Sequence, residues 1–188
     1  MNLRNPSIAP ATAEDLEQVS AIIASAVNTW PAPARLKRAV LPVLAYDELD
    51  LADHEILLLS DTGRPIALAA WQTDTRMPDP HRRYSTLLHG LFVAEEAQKR
   101  GIGLCLQAAV ARRAHVAGFH GLHVKAERFA ADYFIRCGYR LLTAAEQPRG
   151  KASTYPYWFW QDCSSLQQAL RLRQDAVTIE PRQSSIST

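Results

Sequence analysis

Apolar positions along this chain alternate between two periods. Leu16, Val19, Ile23 and Ala26 recur at helical spacing behind Thr12-Ala13-Glu14-Asp15, which reads as a helix start with Thr12 as N-cap and Asp15 closing a capping-box variant. A short strand, Ser7 to Ala9, precedes it and is stopped by Pro10. The stretch WPAPARLKRAVLPVLAYDELDLADH is less regular, and its prolines predict one or two short helices, over Ala34–Leu41 and about Leu44–Leu51. EILLLSDTGRPIALAAWQ holds two apolar runs around Asp61-Thr62-Gly63-Arg64, a hairpin signal. TDTRMPDPHRRY predicts a loop; STLLHGLFV, apolar at successive positions, predicts a central strand.

A long amphipathic helix then runs from the glycines at 101 and 103 to a C-cap at Gly118. GLHVKAE is a strand with Leu122 and Val124 on one face and His123 and Lys125 on the other. RFAADYFIRC predicts a short helix, YRLL and TYPYWFWQDC two strands, and Ser165–Arg173 a last helix before a tail, VTIEPRQSSIST. The early strands favour antiparallel pairing; the strand–helix–strand unit from Thr86 to Ala126 favours a parallel pair with a crossover helix. The fold class is α/β, a mixed sheet flanked by helices, with one domain over 1–163 and a short helix and tail over 164–188.

Composition narrows the function. At 47% hydrophobic and 21% charged the chain is globular, and a net charge of +2 gives no basic stripe for nucleic acid. Cys105, Cys137 and Cys163 are odd in number and lack CxxC spacing, which reads as reduced thiols in a cytoplasmic protein without a metal site. No apolar run approaches the roughly 18 residues of a membrane span, and MNLRNPSIAPATAED has no signal core.

The chemistry concentrates in EEAQKRGIGLCL. The first turn of a helix leaves backbone N–H groups without intrahelical partners at the positive end of the macrodipole. Glycine at 101 and 103 lets an anion come close to those donors, and Lys99 and Arg100 add charge, an arrangement that suits a pyrophosphate. The alternative is that both glycines only let the helix pack tightly on a strand. A P-loop is excluded because Leu104 and Cys105 follow Gly103, and a dinucleotide fingerprint lacks its third glycine.

An apolar strand, an acidic turn and Gln98-x-x-Gly101-x-Gly103 opening a long helix resemble the central signature of the GCN5-related N-acetyltransferase (GNAT) family. Ala130-Ala131-Asp132-Tyr133-Phe134-Ile135-Arg136-Cys137-Gly138-Tyr139 echoes its second signature, A-x-x-F-Y-x-x-x-G-F, and the element order matches over roughly the first 160 residues. The resemblance implies a mostly antiparallel mixed sheet and acetyl-CoA as co-substrate. It places the pyrophosphate on the amides of Gln98, Lys99, Arg100, Gly101, Ile102, Gly103 and Leu104, and the acetyl carbonyl near Leu91, Phe92 and Val93. It also implies direct transfer to an amine, whether a small molecule or a peptide or protein amine, and leaves a homodimer open; the alternative is a non-catalytic acyl-CoA-binding domain.

Such a reaction needs a base for the amine proton and an acid for the departing thiolate. LHGLFV is similar to the LHALAV stretch of arylalkylamine N-acetyltransferases, which makes His89 the candidate base, although Leu87 stands where that family has a second histidine. Glu95 and Glu96 are weaker candidates, and His89 bonded inside the sheet is the alternative. The family's tyrosine acid is replaced by Phe134; Tyr133, one residue earlier, is turned by about 100° on a helix. Either Tyr133, Cys137 or a water is then the thiolate's proton source, with Tyr133 the candidate, or CoA leaves as the thiolate. Glu127 replaces a common asparagine. Tyr46, Asp47, Asp50 and Asp53 present acidic charge to a cationic acceptor or are a solvated face, and the TYPYWFW stripe reads as core.

Overall fold

The computed structural model describes residues 3–147 and 156–178. In chain order the elements are β1 (Pro6–Pro10), α1 (Leu16–Asn28), α2 (Ala34–Leu44), α3 (Asp50–Asp53), β2 (His54–Asp61), β3 (Arg64–Gln72), β4 (Met77–Pro78), β5 (Tyr84–Val93), α4 (Ile102–Val116), β6 (Gly121–Ala126), α5 (Ala131–Arg136), β7 (Arg140–Leu141), β8 (Tyr157–Asp162) and α6 (Cys163–Thr178). The strands form one sheet in the order β1-β2-β3-β5-β6-β8-β7, with β4 added beside β5. Every pairing is antiparallel except β5 with β6, whose connection is α4.

The near-continuous apolar runs of β2 and β3 follow from burial on both faces. Leu57, Leu59, Ala67, Ala69 and Trp71 point into the core beneath α4 and α6; Ile56, Leu58, Leu68 and Ala70 point into a second core beneath α1. Thr12 and Asp15 behave as predicted, with the Asp15 carboxylate accepting from the Thr12 N–H at 2.9 Å and its hydroxyl at 3.0 Å. The β2–β3 turn places Thr62 at φ 53° and Gly63 at φ 81°, the two left-handed central residues of a tight hairpin.

Four local expectations are corrected. The second proline-region helix does not form over Leu44–Leu51: α2 runs on through Pro42 to Leu44, and only the single turn α3 follows. Pro42 is exposed near the end of α2, where its missing N–H removes one bond close to the terminus. The loop after β3 contributes a two-residue strand, Met77 pairing Ser85 and Pro78 pairing Tyr84. YRLL keeps only Arg140–Leu141 as strand, and the last helix begins at Cys163, where the Asp162 carboxylate accepts from the N–H and hydroxyl of Ser164. Cys163 and Leu166 are buried in the α4-side core. The tail from Ile179 and the end of the loop before β8 lie outside the described residues.

Among the described residues no helix is long and apolar enough to cross a membrane. All three cysteines are unpaired.

Candidate functional site

The cleft arises from a strand that outlasts its neighbour. β5 and β6 pair in parallel from Ser85↔Gly121 to Leu88↔Val124, and the ladder ends there. β5 nevertheless continues on β3 as far as Val93↔Ala67. The register slips between them: Ala70 pairs Gly90 while Trp71 pairs Leu88, so His89 is the extra residue of a β-bulge. A bulge bends its strand and re-aims side chains. Here it reverses the alternation, so Leu88, Leu91 and Val93 all pack toward the α4-side core. The parted strands leave peptide groups of residues 89–93 on an edge that faces a cleft of about 480 Å³.

The mouth of α4 closes one end of that cleft. After a 3-10 turn at Glu95–Ala97, Lys99 adopts φ 59° and Gly101 φ 80°. A left-handed non-glycine residue costs about 1–2 kcal/mol, so the strain at Lys99 marks a turn held in shape by its surroundings. Gln98 helps hold it, donating to the Val93 carbonyl at 3.0 Å and to the Thr29 hydroxyl at 3.2 Å. Within α4 the Cys105 N–H reaches the Gly101 carbonyl at 3.2 Å, so the amides of Ile102, Gly103 and Leu104 precede the first intrahelical bond.

The two glycines differ in purpose. A Cβ on Gly101 would meet nothing within 4 Å, and its requirement is the positive φ. A Cβ on Gly103 would overlap the Tyr133 hydroxyl and lie 3.2 Å from its Cζ. Tyr133 reaches this notch because α5 turns it toward the first turn of α4. There its oxygen accepts from the Gln107 side-chain amide at 2.7 Å, an amide that also donates to the Gly103 carbonyl at 3.1 Å. A carbonyl only accepts, which fixes the orientation of the buried Gln107 amide. The 100° swing from Phe134 therefore keeps Tyr133 in the cleft wall; Phe134 is mostly buried, its ring stacked on Phe159 at 5.9 Å.

His89 opens onto the cleft from the bulge. Its Nδ1 is 2.9 Å from the Tyr46 hydroxyl, and its ring centroid is 4.5 Å from that of His54. Although one side of the ring is open, crowding by the protein, then the His54 and Lys125 charges, lower its pKa to about 4, with Asp50 opposing. The imidazole is neutral at pH 7. The second histidine missing at Leu87 thus has a counterpart on another strand: His54 starts β2, its Nδ1 3.2 Å from the Asp50 carbonyl.

Of the residues singled out by sequence, Leu91, Phe92, Val93, Gln98, Lys99, Gly101, Ile102, Gly103, Leu104, His89 and Tyr133 all line this cleft, whereas Arg100 does not. Glu127 and Cys137 also line it, but Glu95 and Glu96 are exposed on the outer turn. Of the acidic segment, Tyr46 is buried, Asp50 half-buried, and Asp47 and Asp53 exposed. Trp30, one of the aromatic residues that sequence reads as core, meets Phe129 at 5.0 Å beside the cleft; sequence reasoning missed Phe129 and Lys125 on the cleft wall, and Gln107 and His54 behind Tyr133 and His89. His54 and His89 lie 35 positions apart on strands separated by β3, and no local pattern links them.

Residues 22–139 match the family model described as acetyltransferase (GNAT) family. Among solved structures the chain is similar to a GCN5-related N-acetyltransferase from Rhodopseudomonas palustris (19% identity, 86% of this chain and 98% of that one, TM-score 0.64). It is also similar to the PaiA N-acetyltransferase of Thermoplasma acidophilum in complex with coenzyme A (10%, 85% and 99%, TM-score 0.67). A third likeness is to N-acetylglutamate synthase from Neisseria gonorrhoeae complexed with coenzyme A and N-acetyl-glutamate (19%, 86% of this chain but 36% of that one, TM-score 0.62). These likenesses are of fold. No curated protein matches the sequence at a significant level.

Proposed function

Because the chain belongs to the acetyltransferase (GNAT) family, we propose that it moves the acetyl group of acetyl-CoA directly to an amine, with His89 as proton acceptor and Tyr133 as proton donor. The observation that carries this reading is the cleft itself. Its floor is the strand edge freed where β5 outlasts β6, and it ends on the amides that open α4.

The residues present fit the co-substrate. The left-handed turn at Lys99 and Gly101 and the unsubstituted Cα of Gly101 leave room at the N-terminus of a 15-residue helix, where a diphosphate is favoured. Lys99 adds charge on the cleft side. Acetyl-CoA supplies an activated thioester; the rest is done by the protein. Backbone N–H groups alternate along β5: the Ala94 N–H bonds the Ile66 carbonyl on β3, so those of Leu91 and Val93 point to the cleft side, where they are fixed donors for the oxyanion that forms on the acyl carbon, and fixed dipoles need no reorganisation during reaction.

The lowered pKa of His89 constrains when it acts. A base with a pKa of about 4 is too weak to deprotonate an ordinary ammonium group in solution. Once a neutral amine has attacked the thioester, its nitrogen becomes strongly acidic, and neutral His89 accepts that proton. Tyr133 gives its hydroxyl proton to the departing sulfur, while the Gln107 amide, donating to the same oxygen, stabilises the phenolate charge. Cys105 faces away from this chemistry: it lies inside α4, and burial pushes its thiol pKa up, so no acyl-cysteine step is required.

The test is release of free CoA thiol from acetyl-CoA against a panel of amines. Amine-dependent release that follows acetylation of the acceptor is the expected result. CoA binding with no acetylation of any amine in the panel would refute the catalytic reading.

A further inference from the structure

Gly90 lies in the bulge at an ordinary backbone angle, so its lack of a side chain has another cause. A Cβ there would overlap the hydroxyl of Tyr46 and lie 3.5 Å from its Cζ and 3.0 Å from Phe92 Cε2. Tyr46 comes from the segment between α2 and α3 and is 7% exposed. Its hydroxyl sits in the notch left by Gly90, 2.9 Å from Nδ1 of the next residue back, His89.

Resting on the assignment of His89 as proton acceptor, we infer that Tyr46, seated in the notch at Gly90, is a positioning residue that accepts a hydrogen bond from His89 Nδ1–H and so makes Nε2 the nitrogen that takes the substrate proton. The reason is the order of protonation. In a neutral imidazole one nitrogen carries hydrogen and the other a lone pair. If the Tyr46 hydroxyl donated to Nδ1, Nε2 would carry the hydrogen and have no lone pair to offer. With Nδ1–H donating to the Tyr46 oxygen, Nε2 is ready, and the same bond persists unchanged after Nε2 gains its proton. One arrangement then serves both charge states.

The neighbours agree with this assignment. The groups facing the ring are Tyr46, Asp50 on α3, His54 on β2 and Lys125 on β6. His54 Nδ1 meets the Asp50 carbonyl, which only accepts, so Nδ1 carries the hydrogen there. Its Nε2 is buried without a hydrogen-bond partner among the described residues. Of the two rings, His89 is the one that lines the cleft and so the one an incoming amine meets.

The tautomer is read directly by nitrogen NMR of histidine-labelled protein near pH 7, a readout independent of turnover. The expected wild-type signal for His89 is Nδ1 protonated and Nε2 bare; Tyr46→Phe and Gly90→Ala both shift the ring toward the other tautomer. In kinetics each lowers kcat about tenfold, a part of the about 10²–10⁴-fold contributed by a general base, and leaves the KM for acetyl-CoA unchanged. Gly90→Ala added to Tyr46→Phe moves the tautomer no further, because the hydroxyl it displaces is already gone; what remains is the 3.0 Å approach to Phe92 Cε2, which acts on stability rather than on the ring. A wild-type ring protonated at Nε2, or a tautomer unmoved by Tyr46→Phe, overturns the inference. The predicted tautomer shift in a protein that acetylates no amine supports the seat and removes the catalytic reading instead.

Discussion

Alanine at the two glycines of the α4 turn separates two physical effects that sequence alone merges. At 103 the backbone is helical, so alanine gains up to about 1 kcal/mol of helix propensity over glycine. Against this, the new Cβ drives the Tyr133 hydroxyl from its notch and breaks the 2.7 Å bond from Gln107, a net loss of about 0.5–1.5 kcal/mol. Gln107 keeps the Gly103 carbonyl as acceptor at 3.1 Å, so its buried amide nitrogen is not orphaned. The two terms nearly cancel. Gly103→Ala should melt within about 4 °C of wild type, given about 2–4 °C per kcal/mol at this size, yet lose turnover because Tyr133 no longer stands where it did.

At 101 the balance reverses. The φ of 80° costs a side-chain-bearing residue about 1–2 kcal/mol, while no protein atom lies within 4 Å of the added methyl. Gly101→Ala should therefore lower stability and, by standing in the open cradle, weaken CoA binding at least tenfold, or about 1.4 kcal/mol. Calorimetric titration with CoA, thermal unfolding and thiol release measure the three quantities on the same preparations. Undiminished turnover in Gly103→Ala, or wild-type CoA affinity in Gly101→Ala, would show that the geometry has been misread.

Three further outcomes follow from the same contacts. Tyr133→Phe should lower kcat tenfold or more, a modest share of the about 10²–10⁴-fold available to acid–base catalysis, with CoA affinity unchanged by titration; full activity would exclude the hydroxyl as proton donor. Asp79, whose buried carboxylate accepts from the backbone N–H of His81 and Arg83 at 2.8 Å each and from Arg83 Nε at 3.0 Å, pins the loop before β5, so Asp79→Ala should cost about 1–3 kcal/mol in urea unfolding. His123 gives a pH signature: its Nε2 faces the Pro78 carbonyl and so carries the hydrogen, its Nδ1 has no partner among the described residues, and burial lowers its pKa to about 4. The unfolded chain, with histidine near 6.5, binds that proton first as pH falls, so the His123 contribution is full above about 6.5 and falls by about 3 kcal/mol by pH 4, in addition to the fall from His89, which is lowered to the same value. His123→Leu should remove the His123 share between matched urea titrations, and an unchanged pH dependence would place the titration elsewhere.

What was legible in the sequence is what local physics decides. The box at Thr12 and Asp15, the Thr62-Gly63 turn and the start of α4 at Gly101 depend on residues a few positions apart, and each is visible as a pattern. The turn proposed to hold the cofactor belongs to this class, which is why most of its candidate residues line one cleft. β4 was illegible because two residues have no period, and the extra residue at His89 because a bulge shows only when two strands are laid in register.

The groups around His89 were illegible for a deeper reason. Tyr46 is 43 positions away, and its hydroxyl meets the ring of the bulged His89 only once the segment between α2 and α3 has packed against β5. Yet each notch had left its sign in the chain as a glycine. At 103 the missing Cβ reads as room for a phosphate, but in the folded protein the Tyr133 hydroxyl occupies the Cβ position; at 90, a glycine inside the strand STLLHGLFV, the Tyr46 hydroxyl does so. A glycine in a functional segment announces that something approaches the backbone closely, and only the fold says whether that is a ligand or a side chain of the protein. In this chain two of the three glycines that line the cleft receive tyrosine hydroxyls, and at the third, Gly101, an added Cβ would meet no protein atom within 4 Å.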